Sequence, residues 1–309
     1  MRCSTWSRRL DEDPAGTAAR AVGWLAIEQP GPWGARAATD SHLDARLGAA
    51  LEAAAERHGS RLALIRRPQS HPGEQGLRRV FAAGVRHGRR FLLTGCLEDL
   101  NRLRALDWEA LAGGRPEAVL ASMPELSLRS GPVLLVCSNG RRDACCAMLG
   151  RPVALSLYDE FGEAVWESTH LGGHRFAPTS LLLPHGYSHA RLDPVSGARL
   201  LALAEEGRLL LPGLRGSTAL APAEQAADAA VRRSLVEDRV EAVRVVDSAT
   251  SDAGVLVTLE AGGRIHSMLM RQDRLAATHP ESCGKQPVPL THWRATPLPP
   301  IRDFPPAHP

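Results

Sequence analysis

The densest group of metal-ligand side chains in the sequence lies in residues 137–174. The stretch CSNGRRDACC, residues 137–146, holds three of the six cysteines, and HLGGH, residues 170–174, holds two histidines. The apolar run GPVLLVC predicts a buried strand that ends at Cys137, and AVWESTH predicts a strand that ends at His170. If these side chains bind one centre, the fold must bring the two stretches together.

Length and composition predict a globular protein with more than one domain. The chain has 309 residues, which is more than one hydrophobic core usually holds. Its apolar fraction of 44% and charged fraction of 23% are typical of soluble proteins. The net charge of +3 provides no basic field for nucleic acid, and the mixing of arginines with acids is typical of a solvated surface.

The expected cellular location follows from the hydropathy pattern. No apolar run is long enough to cross a membrane, so no membrane span is expected. The N-terminal stretch MRCSTWSRRLDEDPAG lacks the apolar core of a secretory signal, which predicts a cytoplasmic location. In the cytoplasm, the cysteines favour metal or redox roles over structural disulfides.

Two parts of the chain have the same predicted order of elements. Residues 21–128 read as strand, helix, two or three strands and helix, and residues 129–215 repeat the order β-α-β-β-α. The repeat predicts an α/β protein with two tandem thioredoxin-like βαββα domains, the second carrying the ligands. Residues 1–20 predict a flexible lead-in. Residues 216–309 predict a small α+β appendage of one helix and antiparallel strands with a Pro-rich tail.

The two ligand stretches have local features that suit metal binding. Cys137 ends a predicted buried strand, and Cys146 opens a helix, where the partial positive charge of the helix N-terminus stabilises a thiolate. On a straight strand, His170 and His174 would stand ~13 Å apart. The two glycines between them permit positive φ angles, so both imidazoles can turn toward one centre.

The ligand spacing leaves two kinds of centre open. The histidine spacing suits zinc, but structural zinc sites usually take their cysteines from a tighter knuckle than the eight-residue gap here. Two thiolates and two imidazoles are also the ligands of a Rieske [2Fe–2S] cluster, and a longer loop suits an object with bridging sulfides. From the spacing alone, zinc and iron–sulfur are equally supported.

The ligand stretches and their surroundings resemble a known family. CSNGRRDACC followed by HLGGHRFAPTSLLLP, with WLAIEQPGPWG upstream and ESCGKQPVP near the C-terminus, is similar to the sucrase/ferredoxin-like family of thioredoxin-like ferredoxins. The resemblance covers residues 20–215 and implies a [2Fe–2S] cluster held by Cys137, Cys146, His170 and His174. Ordinary thioredoxin-like ferredoxins use four cysteines instead, and Rieske proteins take one cysteine and one histidine from each segment.

The resemblance implies an electron carrier rather than an enzyme, exchanging one electron at a time with a partner protein. Replacing two thiolates by neutral imidazoles removes negative charge from the cluster, so its potential should rise by on the order of hundreds of millivolts. Loss of the outer imidazole protons would couple reduction to proton uptake near neutral pH. Arg141, Arg142 and Arg175 flank the ligands and either stabilise the reduced cluster or are simply solvated.

Two other functions use the same residues. A zinc-stabilised binding module would take the same four ligands without redox chemistry. A thiol oxidoreductase would use the adjacent Cys145 and Cys146, but a disulfide between neighbours is strained. A glycosidase needs two carboxylates that face each other across a pocket. The acids near the ligand stretches, Glu160, Glu163 and Glu167, lie on one predicted element and lack the tryptophan-rich surroundings of a sugar site. Sucrase activity is therefore not supported.

The remaining cysteines and histidines carry weaker predictions. Cys145 is predicted to be a buried small hydrophobe or a spare ligand, and Cys96 to be a packing residue. Cys3 is isolated, and Cys283 is either a surface thiol or a turn residue. Two histidines have metal-like spacing but no neighbouring thiol in the sequence, which predicts polar loop residues: His185 and His189.

Overall fold

The computed structural model describes residues 2–69 and 76–299. The described residues form a large mixed sheet of ten strands, helices that pack on it, and a second sheet of four strands. The α/β class predicted from the sequence is therefore confirmed. None of the helices in these residues is both long and apolar enough to cross a membrane.

The described residues of the first half of the chain supply five strands of the large sheet and five α-helices. Its elements are, in order, α1 (Cys3–Arg9), β1 (Gly23–Glu28), α2 (Ala37–Asp40), α3 (Ala45–Arg57), β2 (Arg61–Arg66), β3 (Arg78–Gly84), β4 (Phe91–Leu97), a 3₁₀ turn (Leu100–Ala105), α4 (Trp108–Gly113), α5 (Pro116–Ser122) and β5 (Ser127–Leu128).

The second half completes the large sheet and adds the small one. Its elements are β6 (Val133–Cys137), a π-helical turn (Cys146–Gly150) that continues into α6 (Arg151–Phe161), β7 (Val165–Ser168), a 3₁₀ turn (His174–Phe176), β8 (Ser180–Leu183), β9 (Tyr187–His189), α7 (Pro194–Glu205), β10 (Leu214–Ser217), α8 (Pro222–Leu235), β11 (Val243–Ser251), β12 (Gly254–Ala261), β13 (Arg264–Pro280) and β14 (Pro287–Leu298).

Two units with the same strand pairing make up most of the large sheet. In the first, β1 pairs in parallel with β2 and antiparallel with β3, and β3 pairs antiparallel with β4. In the second, β6 pairs in parallel with β7 and antiparallel with β8, and β8 pairs antiparallel with β9. The repeat predicted from the sequence is therefore present as a repeated order of strand pairing. The assignment of each unit to the thioredoxin-like fold, and the predicted domain boundaries, stay predictions.

The two units share one continuous sheet. Antiparallel pairing of Ile65 with Ser168 and of Arg66 with Glu167 joins β2 to β7. The strand order is therefore β10-β9-β8-β6-β7-β2-β1-β3-β4-β5. At the junction, Nε of Arg66 donates to the buried Glu167 carboxylate at 3.0 Å, so an ion pair reinforces the backbone pairing.

Alternation along the strands places Cys137 away from the helices of its unit. Leu134 and Val136 of β6 pack with residues of α6 and α7. Leu135 and Cys137, which point to the opposite face of the sheet, belong to another apolar cluster that both units share. The candidate ligand therefore lies on the face of the sheet where the two units meet.

The N-terminal segment differs from the flexible lead-in predicted for residues 1–20. Residues 3–9 form α1, which buries Cys3, Ser4 and Ser7. The helix contacts the turn His174–Phe176 and strand β13. This helix was not predicted because its buried residues are small and produce no apolar stripe.

The C-terminal region forms the predicted helix and antiparallel strands. The four strands of the small sheet follow one another in chain order, β11-β12-β13-β14, and the sheet packs against α8. Residues 300–309, the end of the predicted Pro-rich tail, lie outside the described residues.

A buried arginine on α8 connects this region to the large sheet. Nε of Arg232 donates to Oδ1 of Asp228 at 3.0 Å, and Nη2 donates to the hydroxyl of Tyr187 on β9 at 3.0 Å. Further hydrogen bonds run to the carbonyl oxygens of Arg239 and Val240. Burial raises the pKa of Tyr187 to about 12, and the Asp228 carboxylate adds to the effect, so the phenol stays protonated.

The substitution Arg232→Met should destabilise the protein by about 3–5 kcal/mol, because it leaves the Asp228 carboxylate buried and unpaired. Arg233→Met is the matched control, since Arg233 is exposed and pairs with the exposed Asp13. Its loss should cost about 1 kcal/mol or less. Urea unfolding of both variants measures the difference, and equal shifts would contradict the role given to Arg232.

Candidate metal centre

Cys137 and Cys146 are brought together by a close approach of helix and strand. Cys137 is buried at the end of β6, and its backbone N–H donates to the Thr179 carbonyl oxygen at 2.9 Å. A Cβ on Gly150 would collide with the Cys137 carbonyl oxygen. Only glycine lets the π-helical turn pass this close to β6, and the turn carries Cys146 back to the strand end.

The loop between the two cysteines is organised by Asp143. Its Oδ1 accepts a hydrogen bond from the Cys145 N–H at 2.8 Å, and its carbonyl oxygen accepts from the Cys146 N–H at 3.1 Å. Asp143 thus caps the helix, which begins just after it. Cys146 lies in the first turn, as the sequence predicted, where the helix dipole favours a thiolate.

The histidine stretch reaches the cysteines because β6 and β7 run in parallel. Cys137 is the register partner of Ser168, and His170 follows two residues later at the same edge of the sheet. Gly172 and Gly173 have φ angles of +83° and +68°. The prediction that these glycines bend the loop through positive φ is confirmed.

The structure brings three of the four predicted ligands into one group. Donor atoms of Cys137, Cys146 and His170 all lie within 4.8 Å of one another. His174 is not part of this group, but its ring centroid lies 5.1 Å from that of His170. Both cysteines are buried, whereas both histidines are partly exposed. The group is therefore reached from solvent on its histidine side.

The donor atoms of the histidines fit a metal centre. Within the described residues, Nδ1 of His170 and Nδ1 of His174 are buried and have no hydrogen-bond partner. An unpaired buried polar atom costs about 1–3 kcal/mol, a cost that metal coordination removes. Two thiols and two unpaired imidazole nitrogens are a donor set for zinc or an iron–sulfur cluster.

The buried thiols shift each other's pKa in opposite directions. A hydrogen bond from the Cys146 thiol, with help from His170, lowers the pKa of Cys137 even though burial opposes the change. The same hydrogen bond, together with burial, raises the pKa of Cys146. Burial lowers the pKa of His174, against the effect of the Asp143 carboxylate. A metal bound by both sulfur atoms would take them as thiolates and release their protons.

Arg215 is a fully buried cation beside the site that the sequence reading missed. Its Nη1 donates to the Gly172 carbonyl oxygen at 3.1 Å and to the Ser188 hydroxyl at 3.1 Å. Burial lowers the pKa of Arg215 to about 9, and Arg175 adds to the effect, so it stays charged at neutral pH. The short strand sequence LRGS gives no local signal that the arginine side chain is buried.

The three arginines expected to flank the ligands have different surroundings. Arg141 and Arg142 are exposed. Arg175 donates from Nε to the buried Glu12 carboxylate at 2.7 Å, so its charge is neutralised locally. Arg142 lines an open groove together with His170.

The other candidate residues lie outside this group. Cys145 is buried and belongs to a separate group of cysteines. The prediction that Cys96 is a packing residue is wrong, because its side chain is exposed to solvent on β4. His185 and His189 lie near the backbone carbonyls of Ala204 and Leu210, with Nε2–O distances of 3.1 and 2.9 Å, and His189 is buried in β9 rather than in a loop.

Gly173→Ala should destabilise the protein more than Gly207→Ala. Both glycines have left-handed backbones, with φ +68° and +69°, where an alanine costs about 1–2 kcal/mol. A Cβ at Gly173 would also collide with the Arg215 guanidinium, whereas nothing lies within 4 Å of one at Gly207. Urea unfolding measures both variants. An equal loss of stability would show that the Arg215 side chain moves away from the added methyl group without cost.

A known protein family matches the part of the chain that contains both ligand stretches. A family profile described as sucrase/ferredoxin-like matches residues 14–216, which is more than half of the chain and includes Arg215. No curated protein and no solved structure gives a significant match. The chain therefore belongs to the sucrase/ferredoxin-like family.

Proposed function

We propose that the protein holds a [2Fe–2S] cluster and transfers one electron at a time, as a thioredoxin-like ferredoxin does. Cys137 and Cys146 hold one iron, and His170 and His174 hold the other. The proposal is carried by the convergence of two buried thiols with His170, next to which lies His174, while both imidazoles keep an unpaired, buried Nδ1 within the described chain. The repeated strand order of the two units supports the thioredoxin-like assignment.

The position of His174 favours a two-iron centre over a single ion. Tetrahedral zinc, with bonds of about 2.0–2.3 Å, requires all four donor atoms to lie within about 4 Å of one another. His174 lies outside the group formed by Cys137, Cys146 and His170. Ligands divided between two irons span a longer distance, which fits the position of His174. His170 would then move away from the thiols as the cluster binds, whereas the zinc-stabilised binding module would need His174 to move toward them.

Residues around the site suit a centre that accepts an electron. A bound cluster with two imidazole ligands supplies one-electron chemistry at a higher potential than an all-thiolate cluster. Arg215 places a buried positive charge near the cysteines, which favours added negative charge. The Asp143 carboxylate lies 3.8 Å from Nε2 of His174, where its negative charge favours a proton on that nitrogen.

The partner in this proposal is a redox protein that docks on the histidine side. His170 lines an open groove whose charged residues are mostly basic: Arg36, Arg61 and Arg142, with Glu52. The buried cysteines offer no comparable access. An acidic surface on the partner would match this charge and bring its own centre near the imidazoles.

His174→Cys should keep the cluster, lower its reduction potential and weaken the dependence of the potential on pH. A thiolate adds negative charge to the centre and removes an imidazole that takes up a proton on reduction. In the wild type, the potential should fall as the pH rises near neutrality. His42→Cys, at an exposed histidine, is the control and should leave the potential unchanged. Redox titration at several pH values provides the measurement.

The same preparations test the identity of the metal. The wild type should be red-brown, with about two irons and two acid-labile sulfides per chain. A colourless protein without iron would contradict the cluster. A potential that His174→Cys leaves unchanged would remove His174 from the ligand set.

A further inference from the structure

A second group of metal-ligand side chains shares no residue with the first. Donor atoms of Cys3, Asp143, Cys145 and Cys283 all lie within 4.8 Å of one another. Three distant segments supply them: helix α1, the loop after β6, and the turn between β13 and β14. Cys283 is half-buried and the others are buried. The fold thus brings together Cys3 and Cys283, which are isolated in the sequence, and Cys145, which the first group does not use.

The three sulfur atoms have the separations of ligands to a single ion. The Sγ–Sγ distance is 3.6 Å between Cys3 and Cys145, 3.6 Å between Cys3 and Cys283, and 3.3 Å between Cys145 and Cys283. A tetrahedral ion with metal–sulfur bonds of about 2.3 Å sets these separations at about 3.8 Å. The triangle needs to open by only a few tenths of an ångström to accept the ion.

Asp143 is held in place as the fourth ligand. Its Oδ2 lies 3.8 Å from Sγ of Cys3 and accepts hydrogen bonds from the Cys283 N–H at 2.9 Å and the Ser282 hydroxyl at 3.0 Å. Ser4 donates from Oγ to Sγ of Cys145 at 3.1 Å. Hydrogen bonds of this kind orient metal ligands and stabilise thiolate charge.

The adjacent cysteines 145 and 146 can serve two groups because the helix separates their directions. Consecutive residues of a helix point about 100° apart. Cys146 therefore lies with Cys137 and His170, whereas Cys145 lies with Cys3 and Cys283. A single site would need only one of the two neighbours.

Helix α1 needs an anchor outside itself. It has seven residues and no side-chain cap at its N-terminus. Helices this short are unstable alone in water, so their stability comes from tertiary contacts. Cys3 lies in its first turn and is fully buried against the other two thiols.

We propose that Cys3, Cys145, Cys283 and Asp143 bind one Zn²⁺ that fastens α1 and the β13–β14 turn to the ligand loop. Three thiolates and one carboxylate oxygen complete a tetrahedral, closed, structural site. The three thiol protons leave to solvent when zinc binds, and no electron is transferred. A disulfide would use only two of the three thiols and leave the third thiol unused. This site does not rest on the proposed iron–sulfur cluster.

Metal analysis of the full-length protein tests the site. The wild type should contain about one zinc per chain in addition to iron. Cys283→Ser, which alters a half-buried turn, should lose most of the zinc while keeping the iron and the visible spectrum. Cys96→Ser, at the exposed cysteine on β4, is the matched control and should keep both metals. Co²⁺ in place of zinc should give tetrahedral thiolate absorption bands in the wild type and Cys96→Ser, but not in Cys283→Ser.

Three results would overturn the site. The first is a wild type without zinc that also gives no Co²⁺ bands. The second is zinc that Cys137→Ser removes and Cys283→Ser retains, because the ion would then lie in the first group. The third is a denatured, chelator-treated protein with two free thiols fewer than its six cysteines, which would reveal a disulfide. In a protein that lacks iron, zinc that Cys283→Ser removes and Cys137→Ser retains would instead refute the proposed cluster and support this site.

Discussion

The buried carboxylate of Asp143 is the interaction on which both cysteine groups depend. It accepts hydrogen bonds from the backbone N–H groups of Cys145 and Cys283 and faces the His174 imidazole. Burial alone would raise the pKa of Asp143, but these two N–H groups lower it to about 2, so the carboxylate is charged. One fixed negative charge thereby caps the helix that presents Cys146, positions the Cys283 turn, and lies beside the His174 imidazole.

The large sheet supplies the frame for this arrangement. Parallel pairing of β6 with β7 places Cys137 and the histidine stretch at one edge, and the close approach permitted by Gly150 adds Cys146. The junction of β2 and β7 continues the sheet into the first unit. The first unit therefore supports the site through the sheet and lines the groove beside His170 with Arg36 and Arg61.

Charge is balanced around the first group by residues from distant parts of the chain. Arg215 comes from β10 and lies against the glycine loop, where its guanidinium is fully buried. Arg175 is paired with Glu12, which follows α1. The N-terminal segment thus contributes to the surroundings of both groups, although its sequence predicts a flexible lead-in. The buried Arg215 cation beside the first group favours negative charge there, in a region of low dielectric.

The sequence by itself determined the features that local chemistry dictates. The α/β order, the strand before Cys137, the position of Cys146 in the first turn of a helix and the bend at Gly172 and Gly173 follow from apolar periodicity and backbone preference, and the structure contains all of them. Only the tertiary structure decided that β2 and β7 join the units, that Arg215 is buried, and that Cys3, Cys145 and Cys283 meet. These contacts link residues as much as 280 positions apart, as between Cys3 and Cys283. The sequence pattern of one segment cannot predict which distant segment will contact it, because such contacts depend on how complete helices and strands pack together.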